Sequence, residues 1–456
     1  MCGKAEKIIK YIFLSMKISI LASLAMSCAT STFSFNDIDA AVGQNEYLTA
    51  VEAMEKSQRS YRNFYDKKNS VSFFLDKGFL KYYAGNYEAS CEDLHNAEKL
   101  MERTYSQRSM EDFFSYIQND HQRDYPGEDF EDIYLNIFNA LNYYNTGRTE
   151  NALAEIQKII APEGKLDTLS KKYDYKDPKT NLNLIDFSRR QTGVSKMPSV
   201  RSVSFSNSAL ARYLGSLLYR SEGNMSAARN EIEQVNKAFS VHKNIYQDPI
   251  PQAIQQALNI PAGKARLDII VFTGLSPVKE ETVSLQYLPF QHPVLQIAQL
   301  KVPGLVRRPN YITGIEVIIN GKDKLNLELL EDMGAVIEDI FSARYSNILM
   351  RIYIQTIIKY AAADIAAMAA SANDDEIAGL LIALSAQSQM AFIDRADIRM
   401  SRFLPDKAYI GGINLSPGTH TVLINYYSGS SIVTSEERET DVKIDTLNLL
   451  QTVNLK

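Results

Sequence analysis

The chain has no tryptophan, five histidines and three cysteines in 456 residues. Scattered histidines and so few thiols leave little material for a nitrogen- and sulfur-ligated metal centre, and no cofactor is implied. No zincin motif, phosphate loop or nucleophile elbow is apparent, and Asn320-Gly321-Lys322 lacks the glycine-rich turn that cradles phosphate. Basic residues do not dominate either, with 49 Lys and Arg against 54 Asp and Glu. That balance argues against nucleic acid as a partner. The apolar runs are also short of the ~20 residues that a membrane-spanning helix needs.

What is present begins at the N-terminus. Lys4, Lys7, Lys10 and Lys17 precede the apolar octet Leu21–Cys28, LASLAMSC, and Met16 offers a second start. A basic region, a short apolar run and small residues before a polar stretch describe a secretory signal, here residues 1–27. Ala25-Met26-Ser27-Cys28 resembles a bacterial lipobox, which implies that Cys28 becomes the lipid-carrying first residue of the mature chain, followed by a short linker over 28–34. Cys2 would leave with the signal and Cys91 would remain alone. No internal disulfide can then form, so stability must come from packing. Ala29 lacks the aspartate associated with inner-membrane retention, and the expected location is the outer membrane, facing the periplasm.

The next 225 or so residues (35–260) are organised by repetition. Phe74, Gly78, Gly85, Tyr87, Ser90, Leu94 and Ala97 resemble the spacing of a tetratricopeptide repeat (TPR), in which small residues let two antiparallel helices cross closely. Ala140, Tyr143, Gly147, Ala152, Ile156 and Ile159 form a second unit, and Ser216, Tyr219, Gly223, Ala228, Ile232 and Val235 a third. The turn glycines Gly85, Gly147 and Gly223 lie 62 and 76 residues apart. A regular array repeats every ~34 residues. The excess forms two inserts, about 105–131 and 162–207, and the second is polar enough to be flexible in isolation.

After Pro261 the period shortens. Leu267–Thr273, Val283–Leu288 and Ile315–Ile319 read as strands, and Asn320-Gly321 is a hairpin turn signal. The segment 265–330 is therefore β-rich. A long helix over about Ala335–Ala370 and a second, uncharged helix over Ile377–Ile393 make a helical hairpin (335–393), with the second helix packing on the first rather than dipping into a membrane. The remainder, 397–456, is a β segment expected to pack with 265–330. The expected fold class is α+β, an N-terminal TPR-like α-solenoid followed by a β-rich region with a long helical hairpin.

Taken together, Tyr125-Pro-Gly-Glu-Asp-Phe-Glu131, Gly274-Leu-Ser-Pro-Val-Lys279, Arg351 with Lys359, Asp397-Ile-Arg399 and Leu404-Pro405 resemble landmarks of a family of bacterial lipoproteins with divergent TPR units and a mixed β and helical C-terminal region. The family usually places a tryptophan after the last arginine, where this chain has Met400-Ser401-Arg402. The resemblance implies an anchored envelope protein and no chemistry.

The residues themselves point to binding rather than catalysis. Tyr83, Tyr144 and Tyr219 end first helices and are expected to line a groove, where tyrosine gives large contact area at low entropy cost. Lys171, Lys172, Arg189 and Arg190 in the second insert are candidates to meet a partner. Asp397 with Arg399 reads as a structural ion pair, and His121 with Asp124 and Glu128 as a solvated insert. Arg307-Arg308 reads as a solvated doublet. Cys91, on the second helix of the best repeat and without nearby basic activators, reads as an inert, partly buried thiol. The expectation is a non-catalytic, lipid-anchored envelope scaffold holding another envelope protein on its helical surface. A protein binding peptidoglycan or another glycan through the C-terminal β region is the alternative.

Overall fold

The structure, a computed structural model, describes residues 35–58, 64–108, 123–172, 203–287, 295–371, 382–384 and 395–456. Cys28, His121, Arg189, Arg190 and most of Ile377–Ile393 lie outside them. The fold is mixed α and β, with helices first and sheets after.

The helical part contains α1 (Asn36–Gly43), α2 (Tyr47–Gln58), α3 (Ser70–Tyr83), α4 (Tyr87–Arg108), α5 (Asp129–Asn145), α6 (Thr149–Ile160), α7 (Lys165–Lys172), α8 (Ala209–Ser221), α9 (Met225–Val241) and α10 (Gln252–Gln256). Three pairs, α3 with α4, α5 with α6 and α8 with α9, share one turn. Gly85, Gly147 and Gly223 hold φ of 77°, 75° and 77°. Each glycine N–H donates three residues back, and the following N–H of Asn86, Arg148 or Asn224 donates five back. This is the Schellman arrangement, and it needs the left-handed residue that glycine supplies without strain. Within the first pair a Cβ on Gly78 would lie 2.6 Å from Leu94, so only glycine allows that approach. Ala97, Ala152 and Ala228 are likewise fully buried.

The second insert does not begin as free chain. Its α7 buries Leu166 and Leu169, and at its far end Phe205 is buried while the N–H groups of Ser204 and Phe205 donate to Asp339 at 2.7 and 2.8 Å. Two leucines one helical turn apart gave α7 an apolar face that the polar composition of the insert conceals.

The sheets follow from β1 (Ala265–Thr273), β2 (Val278–Tyr287), β3 (Ile297–Val306), β4 (Gly314–Ile319), β5 (Asp323–Asn326), β6 (Glu328–Asp332), β7 (Lys407–Leu415), β8 (Gly418–Ser428), β9 (Ser431–Val442) and β10 (Asn448–Asn454), with α11 (Met333–Ser371) between β6 and β7. A central sheet has the order β10-β1-β7-β6, an outer sheet β5-β4-β8-β9, and β2 pairs with β3. β1 and β10 run parallel, in register at Ile269 and Leu450. Asn320 and Gly321 turn β4 into β5, both at positive φ.

Every residue of β1 is buried. Leu267, Ile269 and Val271 meet Val317, Ile319, Val422 and Ile424 of the outer sheet. Ile270 and Phe272 point the other way, into the core shared with α3, α5 and α8, where the Phe138 and Phe272 rings are 5.1 Å apart. The order is thus helix pairs, central sheet, outer sheet. The 39 residues of α11 extend ~58 Å at the helical rise. Met333, Val336, Ile337 and Ile340 join the core, and farther along Tyr360, Ala363 and Ala367 pack on Ala298, Leu300 and Val302 of β3.

Because Phe138 is shared by helices and central sheet, Phe138→Ala is expected to cost about 3–5 kcal/mol. Chemical unfolding followed by far-ultraviolet dichroism and by tyrosine fluorescence should show both probes shifting together. A shift in one probe alone would contradict a shared core.

Candidate functional site

Two groups of charged side chains stand out. The larger lies where four of the sequence landmarks converge, at the junction of α3, α5, β2, α11 and the segment 395–406. α5 begins there because Glu131, at its third position, accepts the Glu128 N–H at 2.7 Å, which satisfies an otherwise orphan donor of the first turn. The same carboxylate accepts the Tyr125 hydroxyl at 2.9 Å and the Ser401 N–H at 2.5 Å. Burial pushes Glu131 up to about 8, against those donors and the Lys279 charge. Glu128 pairs with Lys279 and with Arg344 of α11.

The expected ion pair forms here. Arg399 Nε and an Nη of its guanidinium grip Asp397 at 2.7 and 2.8 Å. Its other Nη donates to the carbonyls of Arg123 at 2.6 Å and Lys68 at 3.3 Å, and the guanidinium lies 5.3 Å from the Tyr125 ring centroid. Burial alone would raise Asp397, but the Arg399 contacts outweigh it and hold the carboxyl at about 2. Beside this knot Asp76, buried and pushed upward by desolvation, accepts Tyr65 OH, Ser401 OH and the Arg402 N–H at 2.6, 2.6 and 2.7 Å. Arg308 is not a solvated residue. Burial lowers it to about 9, and it donates to the carbonyls of Ser276 and Arg402. These charges close the seams between segments far apart in the chain, and their hydrogen-bonding groups are spent on one another.

The second group lies between α4, α5 and α6. Cys91 Sγ is 3.5 Å from His95 Nδ1, and His95 Nε2 is 3.5 Å from Glu155 Oε1. The thiol therefore has a basic neighbour after all, one helical turn along α4, where sequence adjacency does not reveal it. Contacts with Cys91 first and Glu155 second raise His95 to about 10, over the opposing effect of burial. Among the described residues, His95, Glu98 and Glu155 place ligand atoms within 4.8 Å of one another and could hold a metal ion. Their charge is already met by protein. Lys158 bridges Glu98 and Glu155 at 3.0 and 3.1 Å, Lys165 of α7 reaches Glu98 at 3.1 Å, and Asn136 donates to both carboxylates. Burial opposes ionisation of Glu98, yet Lys165, Asn136 and Lys158 hold it at about 2.

The tyrosines expected in a groove meet the chain itself. Tyr83 OH donates to the Phe403 carbonyl at 2.6 Å, and Tyr144 OH donates to the Leu447 carbonyl at 3.0 Å while accepting the Leu449 N–H. Their neighbours do the same, with Tyr82 bonded to Gln451 and Tyr213 to Asp268. A groove on this side is filled by the central sheet, because its apolar face needs the same aromatic surface that a peptide would use. Tyr219 is half-buried and accepts from Gln157 at 3.1 Å. Lys172 is also tied down, 2.8 Å from Asp129 and 4.6 Å from the Tyr105 ring. Lys171 stays exposed with an i,i+4 pair to Asp167 at 2.8 Å. Gly85, Gly147 and Gly223 occupy their turns.

No family model, curated protein or solved structure matches the chain.

Two measurements probe these groups. Arg399→Ala leaves the half-buried Asp397 and the carbonyls of Arg123 and Lys68 without their donor and is expected to cost about 1–3 kcal/mol, part of which the double change with Asp397→Ala should restore. Additive losses would show that the two side chains act apart. His95, raised from about 6.5 to about 10 on folding, contributes stability that is complete below about pH 6.5 and is lost as pH rises towards 10. The stability gap between wild type and His95→Gln should therefore narrow over that range, and a gap independent of pH would contradict the pairing.

Proposed function

We propose that the chain is a non-catalytic, lipid-anchored scaffold of the bacterial envelope, built on divergent TPR-like helix pairs and belonging with the lipoproteins that its landmarks resemble. The observation that carries this reading is how the landmark side chains are used. Glu128 pairs with Lys279 and Arg344, Glu131 accepts the Ser401 N–H, and Arg399 grips Asp397 while donating to the carbonyls of Lys68 and Arg123. A catalytic constellation needs groups aimed at a space where a substrate can sit, whereas these groups hold segments together.

The surface offered to a partner differs from the groove expected of such helices. The inner side is taken by the central sheet, which leaves the outer helices α4, α6 and α9, with exposed Glu92, Lys99, Gln157, Arg229 and Glu233. A polar, mixed-charge face of this kind suits a reversible protein contact better than an obligate one. The anchor at Cys28 places that face at a membrane, and the alternative glycan ligand would be held by the β sheets instead.

Photo-crosslinking in cells tests the scaffold reading. A photoreactive residue at Gln157 or Glu233 should give a discrete protein adduct, and one at Tyr144 none. Adducts from neither outer position, with retention of the purified chain on insoluble peptidoglycan, would replace the scaffold with the glycan reading. For the anchor, Cys28→Ser should release the protein from membranes and abolish palmitate labelling, while Cys91→Ser does neither. Equal labelling of Cys28→Ser would refute the anchor.

A further inference from the structure

Cys91 begins a relay of three side chains that runs from α4 to α6. Its Sγ is 3.5 Å from His95 Nδ1, and His95 Nε2 is 3.5 Å from Glu155 Oε1. Cys91 and His95 are one helical turn apart on α4. Glu155 is held opposite them by Asn136 at 2.7 Å and Lys158 at 3.1 Å. Nucleophile, base and orienting carboxylate therefore follow one another in the order that activates a thiol. Contacts with Cys91 and then Glu155 favour the charged imidazole over the opposing effect of burial. An imidazole that takes the thiol proton leaves the sulfur as the nucleophilic thiolate.

The helix facing this relay carries buried polar groups that the protein leaves unmet. Ser90 bonds to Asn142 and Glu98 to Asn136, both at 2.9 Å, so α4 and α5 run antiparallel with Asn139 level with Leu94 and His95. Asn136, Asn139 and Asn142 are all fully buried. Among the described residues, neither polar atom of Asn139 has a hydrogen-bond partner, and Asn136 Oδ1 and Asn142 Oδ1 have none either. A buried carboxamide oxygen without a donor is costly. Three of them along one interface, beside a thiol, point to a small guest that has hydrogens to donate.

Access to the sulfur limits the size of that guest. Cys91 is 6 % exposed, whereas the His95 side chain is 29 % exposed and Tyr143 is half-buried. The Tyr143 ring lies 6.0 Å from the imidazole, and the exposed Arg148 sits over that ring at 4.8 Å. Burial and then the neighbouring Cys91 push the Tyr143 hydroxyl up to about 12, so at neutral pH it keeps its proton as a donor. A sulfur so nearly covered is reached by a molecule of a few atoms and not by a bulky reagent. A hydroperoxide has the required size, carries an O–H for a carboxamide oxygen, and presents an electrophilic oxygen to sulfur.

We infer that Cys91 is an oxidation site, where a small hydroperoxide held between α4, α5 and α6 converts the thiol to a sulfenic acid. His95 Nδ1 takes the thiol proton, and the thiolate attacks the nearer peroxide oxygen. The S–O bond forms as the O–O bond breaks, so sulfur loses two electrons and the peroxide gains them. The departing oxygen receives a proton from the imidazolium and leaves as water when the oxidant is hydrogen peroxide. The product is Cys91 as S–OH, which an external thiol returns to the starting state. This is one modification per chain and no turnover. It concerns a thiol of the folded protein and does not rest on the scaffold reading.

The test uses the full chain with Cys2→Ser and Cys28→Ser, in which Cys91 is the one remaining thiol. It is treated with hydrogen peroxide in the presence of dimedone, and the Cys91 adduct is followed by mass spectrometry. Cys91 should be labelled faster in the folded chain than in the same chain unfolded in urea. His95→Gln should slow labelling of the folded chain about tenfold or more, and Glu155→Gln by a smaller factor. A merely structural His95 would give the opposite sign, since loosening the helices exposes the sulfur and speeds its modification. The comparison of folded with unfolded wild type needs no variant, so it decides even if His95→Gln does not fold. Absence of an adduct in the folded chain, equal rates for wild type and His95→Gln, or labelling that rises with mild urea would each overturn the inference.

Discussion

The two-sided burial of β1 is the constraint on which the rest of the structure depends. A strand buried on both faces needs a cover on each, and alternation sends Leu267, Ile269 and Val271 to the outer sheet and Ile270 and Phe272 to the helices. Polar residues within it must then be paired inside the protein. Arg266 and Asp268, both fully buried, bond to each other at 2.8 Å, and Asp268 also meets Arg220 of α8 and the Tyr213 hydroxyl. Beside it Gly411 and Gly412 of β7 are glycines for want of room, since a Cβ would collide with Leu327 or with the Arg266 guanidinium. One strand in this way dictates a helix layer, a second sheet and the composition of its neighbours.

The charged seams serve the same architecture. Glu331 of β6 is buried and accepts from Tyr134, Ser208, Tyr246 and the Leu210 N–H, tying α5 and α8 to the edge of the central sheet. Glu131 and Asp76 do the equivalent for segment 395–406. A carboxylate with several donors tolerates burial that an unpaired one would not. Such residues specify which segments meet while adding little net stability. This explains why the short landmark motifs, separated by up to several hundred residues, come to lie together.

Much of this was legible in the sequence. The turn glycines were fixed by the requirement for positive φ, Asn320-Gly321 by the same rule, and the long helix by its apolar spacing. The filled groove was not foreseen, although a signal exists. α5 reads DFEDIYLNIFNALNYYN, and Phe130, Ile133, Tyr134, Leu135, Ile137, Phe138 and Leu141 are all buried, so its apolar surface is far wider than one stripe. A helix apolar on most sides must be covered on most sides. β1 carries the matching signal in Asp268-Ile-Ile-Val-Phe272, a continuous run rather than an alternation. The His95 cluster was missed for a different reason, since Glu155 and Lys165 approach it from other helices and only tertiary contact reveals them.

The central claim is that the helix pairs and the sheets form one body, each completing the other's core. Expression of residues 35–260 alone tests it most directly. Without the central sheet, Tyr82, Phe138, Tyr144 and Leu214 would face water. The fragment is predicted to show helical dichroism without a cooperative thermal transition, to bind a hydrophobic dye, and to regain cooperative melting when the complementary fragment 261–456 is added. A monomeric fragment that melts cooperatively on its own, near the temperature of the full chain, would contradict the account.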